Sequence, residues 1–559
     1  MFENEKIVET KNCRQCQTTF EITDKDLEFY EKVSPSFGGD KYIIPTPTLC
    51  PECRQQRRLS FRNERKLYKR ICDATGKPII SIFSPNKSFK VYNQEFWWSD
   101  KWNPLDYGRD FDFNKTFFEQ FGELVKVIPR ESAFTKNMTN SPYSNFESDE
   151  KDCYLTVGGH YNENCMYGTY YVSSKNSMDG YWGWYIENCY ETVNVMNCFN
   201  CKYIQYCENC SSCDFCYDCI GCTECIGCVG LRNKKYCIYN KQYSKDEYKN
   251  IINENNIIGK KNYNNLLLNH PRRSTNIIGS SNCIGNDILN SKNCSNCFYV
   301  EESEDCRNCF IIGKIKNAVD ITSVGYSEVC YELCSSNDLY GGFACFSCWG
   351  GQNICYCDIC YDCVNCFGCV GLSNKEYCIF NKQYIKDEYQ ELVQKIIKHM
   401  IKTGEWGEFF PVSISPFGYN ETVAQEYFPL KKEESILKGF NWSDYEQPIP
   451  KVDKIIQALK LPNNIKEIPD DILNRAIECE ITKKPFRIIK QELDFYRKHN
   501  LPIPKRHPEQ RHLDRMILRN PRKLYDRKCD KCKKDIKTTY SPERPEIVYC
   551  EDCYDKEIY

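Results

Sequence analysis

Small or apolar side chains recur at every third residue through the middle of this chain. From Val300 the series runs Val300, Ser303, Cys306, Cys309, Ile312, Ile315, Ala318, Ile321 and Val324, with Lys, Asn, Asp, Glu or Tyr often between. A strand alternates every two residues and a helix repeats every 3.6, so neither long strands nor helices fit. Cysteine obeys the same rule: of the 30 cysteines between Cys153 and Cys378, 27 share one phase, the exceptions being Cys283, Cys334 and Cys355. A second period of twelve lies on top, through Ser141, Cys153, Cys165, Ser177, Cys189, Cys201, Cys213, Cys225 and Cys237. Twelve residues per coil with four pointing inward describes a very narrow β-solenoid built of short segments joined by corners. So tight an interior admits only small side chains, and cysteine is a small, readily buried hydrophobe. Disulfides across the coil, or metal held within it, are the alternatives.

The pattern occurs twice. "CYDCIGCTECIGCVGLRNKKYCIYNKQYSKDEY" at 216–248 is matched by "CDICYDCVNCFGCVGLSNKEYCIFNKQYIKDEY" at 357–389. Each copy leaves the solenoid into an amphipathic helix that caps its open end, the first with a capping box from Ser244 and Glu247. The predicted fold is mainly β with α: two 12-residue-per-coil solenoids flanked by duplicated zinc-ribbon-like modules. Its parts are an N-terminal module (1–135), a first solenoid (138–243), a helix and linker (244–280), a second solenoid (281–384), a helix with a helical connector (385–475), and a C-terminal module (476–559). Further helices are predicted near 114–129, 432–438, 451–460 and 469–478.

A net charge of −2 on 559 residues excludes steering by a whole-chain field. The N-terminus has no apolar leader, and no run approaches the length of a membrane span. These features predict a soluble cytoplasmic protein, in which 40 cysteines favour metal sites or packed thiols over disulfides.

The ends carry paired CxxC knuckles: Cys13, Cys16, Cys50 and Cys53 in one, Cys529, Cys532, Cys550 and Cys553 in the other. Four thiolates are what tetrahedral Zn²⁺ takes in structural sites, so two structural zinc ions are predicted. The two ends are also copies of each other. "RNERKLYKRICD" at 62–73 matches "RNPRKLYDRKCD" at 519–530, and "FEITDKDLEFYEK" at 20–32 matches "FRIIKQELDFYRK" at 486–498. The match sets Cys72 opposite Cys529, Cys479 opposite Cys13 and His507 opposite Cys50. Each module therefore once held two sites and kept one, leaving Cys72, Cys479 and His507 as structural relics.

Two arginine-rich segments follow the knuckles. Residues 54–70 hold eight basic residues and one acidic, and 505–528 hold nine and three. Arg54, Arg57, Arg58, Arg62, Arg65, Arg511, Arg515, Arg519, Arg522 and Arg527 are the candidate nucleic-acid contacts, with RNA or a ribonucleoprotein the favoured partner. A helix face with acidic partners elsewhere in the chain would explain the same residues. On the solenoid exterior, Tyr170, Trp182 and Tyr206 fall in one twelve-residue column and Trp184 in the next. They could stack on bases or sugars, bind a protein, or pack against the rest of the chain. No nucleotide-binding, hydrolase or metalloprotease motif is present, and both four-cysteine sets leave no open coordination position, so no enzymatic activity is expected.

"CPECRQQRRLSFRNERKLY", the twin "GLxNKxYCIxNKQYxKxEY" blocks and the closing "RNPRKLYDRKCDKC…RPEIVYCEDC" resemble a family of cysteine-rich proteins of candidate-phyla (Patescibacteria) bacteria, over nearly the whole chain. That resemblance implies no activity. The solenoid resembles in architecture the twelve-residue β-helix of beetle antifreeze proteins, which implies right-handed coils; the threonine ladder of those proteins is missing here. The sequence thus points to a non-enzymatic zinc scaffold binding RNA, with a protein-interaction scaffold that uses the solenoid faces, or a thiol-rich metal or redox store, as alternatives.

Overall fold

The computed structural model describes residues 5–253, 260–452 and 454–558; the 254–259 part of the expected linker lies outside them. The middle of the chain forms two parallel β-solenoids. Pairing falls twelve residues apart, as in Met178↔Tyr190 and Gly180↔Thr192 of the first and Ala318↔Cys330 and Ile321↔Leu333 of the second.

Corners arise at every third residue. Asn188, Glu191, Asn194, Asn197 and Asn200 all have φ between 51° and 53°, in the left-handed region. Asn tolerates that region better than most L-residues. Each triplet is thus one inward residue, one residue bridged to the next coil, and one left-handed corner. Corner side chains also bond along the stack, as in Asn164 Nδ2 to Asn176 Oδ1 at 2.6 Å and Asn296 Nδ2 to Asn308 Oδ1 at 2.8 Å.

Inward side chains do more than fill space. The Cys201 thiol reaches the carbonyls of Phe199 (3.3 Å) and Cys210 (3.6 Å), and its sulfur accepts the N–H of Cys213, one coil on, at 3.4 Å. Ser177 does the same for Cys189, and Ser336 for Cys348. Buried backbone N–H groups need partners, and an inward Cys or Ser supplies one across the coil.

Two expectations change. Small side chains are not the rule throughout: Tyr171 points inward, and the missing side chains of Gly168, Gly180 and Gly183 make its room, since a Cβ on any of them would come within 3 Å of its ring or hydroxyl. Cys283 is inward despite its phase, because the first coil of the second solenoid has eleven residues, with Ile277 opposite Ile288. Cys334 and Cys355 face outward and are buried against the N-terminal module.

Helix Phe117–Val127 forms as predicted, as does Lys432–Leu437. Helix Lys245–Asn253 begins at a Ser244–Glu247 capping box. The helices expected at 451–460 and 469–478 do not form. Ile455–Gln457 instead pairs as a strand with Ala476–Glu478, each next to a short 3₁₀ turn.

The modules cross over. Helix Pro51–Leu59 of the N-terminal module lies on the second solenoid, and helix Pro508–Ile517 of the C-terminal module lies on the first. Tyr30 meets Tyr331 edge-on at 5.8 Å, and Tyr496, its copy, meets Tyr190 at 6.1 Å. Where the modules touch, Lys66 pairs with Glu509 at 2.6 Å, and the duplicated counterparts Lys523 and Glu52 pair at 3.0 Å. Reciprocal contacts of this kind mark a pseudo-two-fold axis.

Candidate metal centres, arginine clamps and the cleft between the solenoids

Both four-cysteine sets converge. The sulfurs of Cys13, Cys16, Cys50 and Cys53 lie within 4.8 Å of one another, as do those of Cys529, Cys532, Cys550 and Cys553. Cys16–Cys50 and Cys532–Cys550 are each 3.7 Å apart. That matches the edge of a thiolate tetrahedron with metal–sulfur bonds of about 2.3 Å. Hydrogen bonding to Cys53 draws the Cys50 thiol down to about 5. Burial works to raise the Cys529 thiol, but the backbone N–H groups of Cys532, Cys550 and Lys531 bring it down to about 6. The same clusters push the Cys53, Cys550 and Cys553 thiols up, so each set shares its protons unequally, and a bound metal would displace those that remain. These are the only such clusters among the described residues.

The relic positions keep the knuckle turn without its ligands. Gln17, Gly76, Lys483 and Lys533 all have φ between 61° and 69°, and each donates its N–H to the cysteine four residues earlier. The Cys72 sulfur accepts the Asn93 N–H at 3.3 Å, as Cys529 accepts that of Cys550. Cys479 accepts from Thr482, and His507 Nδ1 caps its helix through the Glu509 N–H at 3.1 Å. Hydrogen bonds hold at Cys72, Cys479 and His507 what ligation would fix at the four-cysteine sets.

Six of the ten candidate arginines are buried, and Arg65, Arg519, Arg522 and Arg527 are half-buried. Arg54 Nε lies 2.9 Å from Asp320, Arg58 2.9 Å from Glu332, and Arg57 3.0 Å from Glu332 and 2.7 Å from Glu408. Arg511 and Arg515 repeat the motif on the first solenoid, where both hold Asp179; Arg511 also reaches Glu492 at 3.2 Å and Arg515 Glu191 at 3.4 Å. Arg62 pairs with Glu64 and stacks 3.8 Å over Phe146. These six are buried. Arg65 bonds Thr169, Arg519 bonds Tyr427 and lies 4.2 Å over Tyr181, Arg522 lies 4.0 Å over Tyr427, and Arg527 bonds Asp530. Burial raises the Asp320 carboxyl to about 6 and Glu191 to about 7, against the pull of their arginines.

The aromatic columns do two things at once. Between the solenoid faces runs a cleft of about 1230 Å³. Its wall on the first solenoid is the twelve-residue column Gly158, Tyr170, Trp182, Asn194, Tyr206 and Asp218, with Trp184 and Glu208 beside it. Its opposite wall is the column Asp287, Tyr299, Ile311, Ser323 and Ser335, with Tyr326 and Trp349 beside it. Trp182 meets Tyr299 across the cleft at 4.7 Å, and Arg62 joins Phe146 at one end to Ser335. The solenoids therefore run antiparallel along it. Tyr170 is buried, its hydroxyl on Glu64 at 2.6 Å, while Trp182, Trp184 and Tyr206 stay half-buried. The cleft itself was missed in the sequence; only the residue columns of its first wall were visible. No family model and no curated protein matches this chain. Among the described residues, no helix is long and apolar enough to cross a membrane.

Proposed function

We propose that the chain is a non-enzymatic scaffold, stapled at each end by a structural zinc ion, that holds a macromolecular partner in the cleft between its solenoids. The observation that carries this reading is the cleft, which follows both faces coil after coil and presents side chains in register. Zinc is the ion that suits four closed thiolate positions. The thiol-store alternative has less support, because the inward thiols are buried and hydrogen-bonded to carbonyls. RNA binding by the arginine segments loses its basis with the burial of six of the ten arginines, and RNA becomes an outcome of the test.

Tyr161 (60% exposed) and Tyr326 (63%) stand at the rims of the cleft, and Phe199 (48%) stands on a first-solenoid column outside it. Capture of the cellular partner by the native protein, with and without nuclease, is compared with capture by Tyr161→Arg/Tyr326→Arg and by Phe199→Arg. Loss with the rim pair alone supports the cleft. Loss with Phe199→Arg alone transfers the function to the outer solenoid faces, and loss on nuclease treatment restores RNA. Metal analysis should give about two zinc ions per chain; a content well above two would favour the store. Structural zinc contributes roughly 10–16 kcal/mol of apparent binding free energy in small zinc modules, so chelation should loosen both ends and leave the solenoid circular dichroism in place.

A further inference from the structure

We propose that the cleft binds a neutral, linear oligosaccharide laid along the solenoid axes, an inference that rests on the cleft being the partner site. Shape comes first. The column from Gly158 to Asp218 spans five coil steps; at about 4.8 Å each they make a wall of about 24 Å, bridged part-way by the Trp182–Tyr299 contact, so the occupant runs past that contact rather than over it. With about 1230 Å³, the cleft exceeds the roughly 300–1,000 Å³ usual for small-molecule pockets. The occupant is an extended chain.

Charge decides its class. Seven carboxyl groups line the cleft against five Lys and Arg, and the arginines are engaged within the protein. Arg62 holds Glu64, Arg232 holds Asp218 at 3.0 Å, Arg273 holds Glu551 at 2.5 Å, and Arg272 lies 4.1 Å over Tyr217. A polyanion therefore meets more carboxylates than available guanidinium groups. A polycation fares little better. Asp218 is already held by Arg232 and His270, and Asp287 accepts from Asn276 and Asn286. Burial raises the Glu301 and Asp338 carboxyls, which favours the neutral form. An extended peptide finds no strand edge along these walls, because successive coils pair on both sides.

A sugar chain fits what remains. Its C–H faces pack on the electron-rich faces of Trp184, Trp349 and Tyr326. Its hydroxyls, both donors and acceptors, suit amide and carboxyl groups. Asn194 and Glu208 on the first wall supply such groups.

The test titrates the full chain with cellohexaose, xylohexaose and chitohexaose by tryptophan fluorescence and calorimetry, beside a decauridylate and a decalysine. At least one hexasaccharide should bind saturably, with little dependence on salt. Trp184→Ala should weaken it at least tenfold, and Tyr326→Ala, at an exposed rim where folding is safe, several-fold with zinc content unchanged. If decauridylate or decalysine binds in the cleft and no hexasaccharide does, the sugar class is overturned while the cleft stands. If a hexasaccharide binds equally well to Trp184→Ala and Tyr326→Ala, it binds elsewhere and the sugar proposal falls, while the capture experiment still decides the cleft. No response to any probe overturns the sugar class, and the capture experiment then decides the cleft alone.

Discussion

Arg58 has no exposed surface, and its guanidinium serves two acids on a solenoid formed 262 to 274 residues later in the chain. Removing one member of a buried ion pair leaves the other charged and desolvated, which costs about 3–5 kcal/mol. Arg58→Ala should lower urea-melt stability by about that much, and adding Glu332→Gln should recover part of the loss. A single-variant effect below about 0.5 kcal/mol would mean that the ion pairs do not clamp the module. Glu131 gives a pH test. It is buried beside Tyr361, and burial raises its carboxyl from the ordinary 4.5 to about 8. Between those values the folded state keeps a proton that the unfolded chain releases, so stability falls as pH rises through the window. Glu131→Gln removes this dependence. Its melting temperature relative to wild type should climb from about pH 4.5 to about pH 8 and then level off; a constant difference would show that Glu131 ionises normally. The arginines were visible in the sequence, but their partners were not, because nothing local links Arg54 to an acid 266 residues away. A signal was present all the same. Asp179 and Glu191, twelve apart, recur as Asp320 and Glu332 at the same places in the second solenoid copy.

At the scale of the coil, the inward phase was legible because a three-residue rule leaves an unbroken mark on composition. The corner was not, although Asn, Asp and Gly crowd the residue before each inward position. A left-handed corner turns the chain after three residues, which is why the coil closes at twelve. It also leaves the inward N–H groups to be paired by side chains of the neighbouring coil. Thiols and hydroxyls are therefore selected by hydrogen bonding as well as by size. At Cys201 this separates three substitutions. Serine keeps both roles and should change stability little. Alanine leaves the Cys213 N–H unpaired in the core, at a cost of about 1–3 kcal/mol. Phenylalanine overpacks the lumen and should cost more than alanine, since overpacking adds typically about 1–3 kcal/mol to the lost hydrogen bonds. Equal melting temperatures for Cys201→Ser and Cys201→Ala would show that thiols act as filler alone. The inward tyrosine was hidden for a different reason: Gly168, Gly180 and Gly183 look like breaks in the pattern until Tyr171 is seen to fill the space they leave.

The whole molecule behaves as a dimer fused into one chain. Duplication of the modules and of the solenoids was legible, since each copy retains long matching stretches. Which module docks on which solenoid was not, because either pairing would bury the same surfaces. The structure crosses them over, so that each half of the sequence holds the other. Arg54, Arg57 and Arg58 reach from the first half into the second, Arg511 and Arg515 reach back, and Lys66–Glu509 and Lys523–Glu52 close the centre. An isologous interface of this kind needs no covalent link to be specific. The chain should therefore survive division between the solenoids. Fragments 1–256 and 257–559, co-expressed with an affinity tag on the first alone, should co-purify one to one and retain about two zinc ions per pair. Adding Arg58→Ala and Arg515→Ala together should release the untagged fragment, because one clamp is broken in each direction. Fragments that purify apart while each remains folded would show that the crossover depends on the linker, and that the clamps contribute packing without holding the halves together.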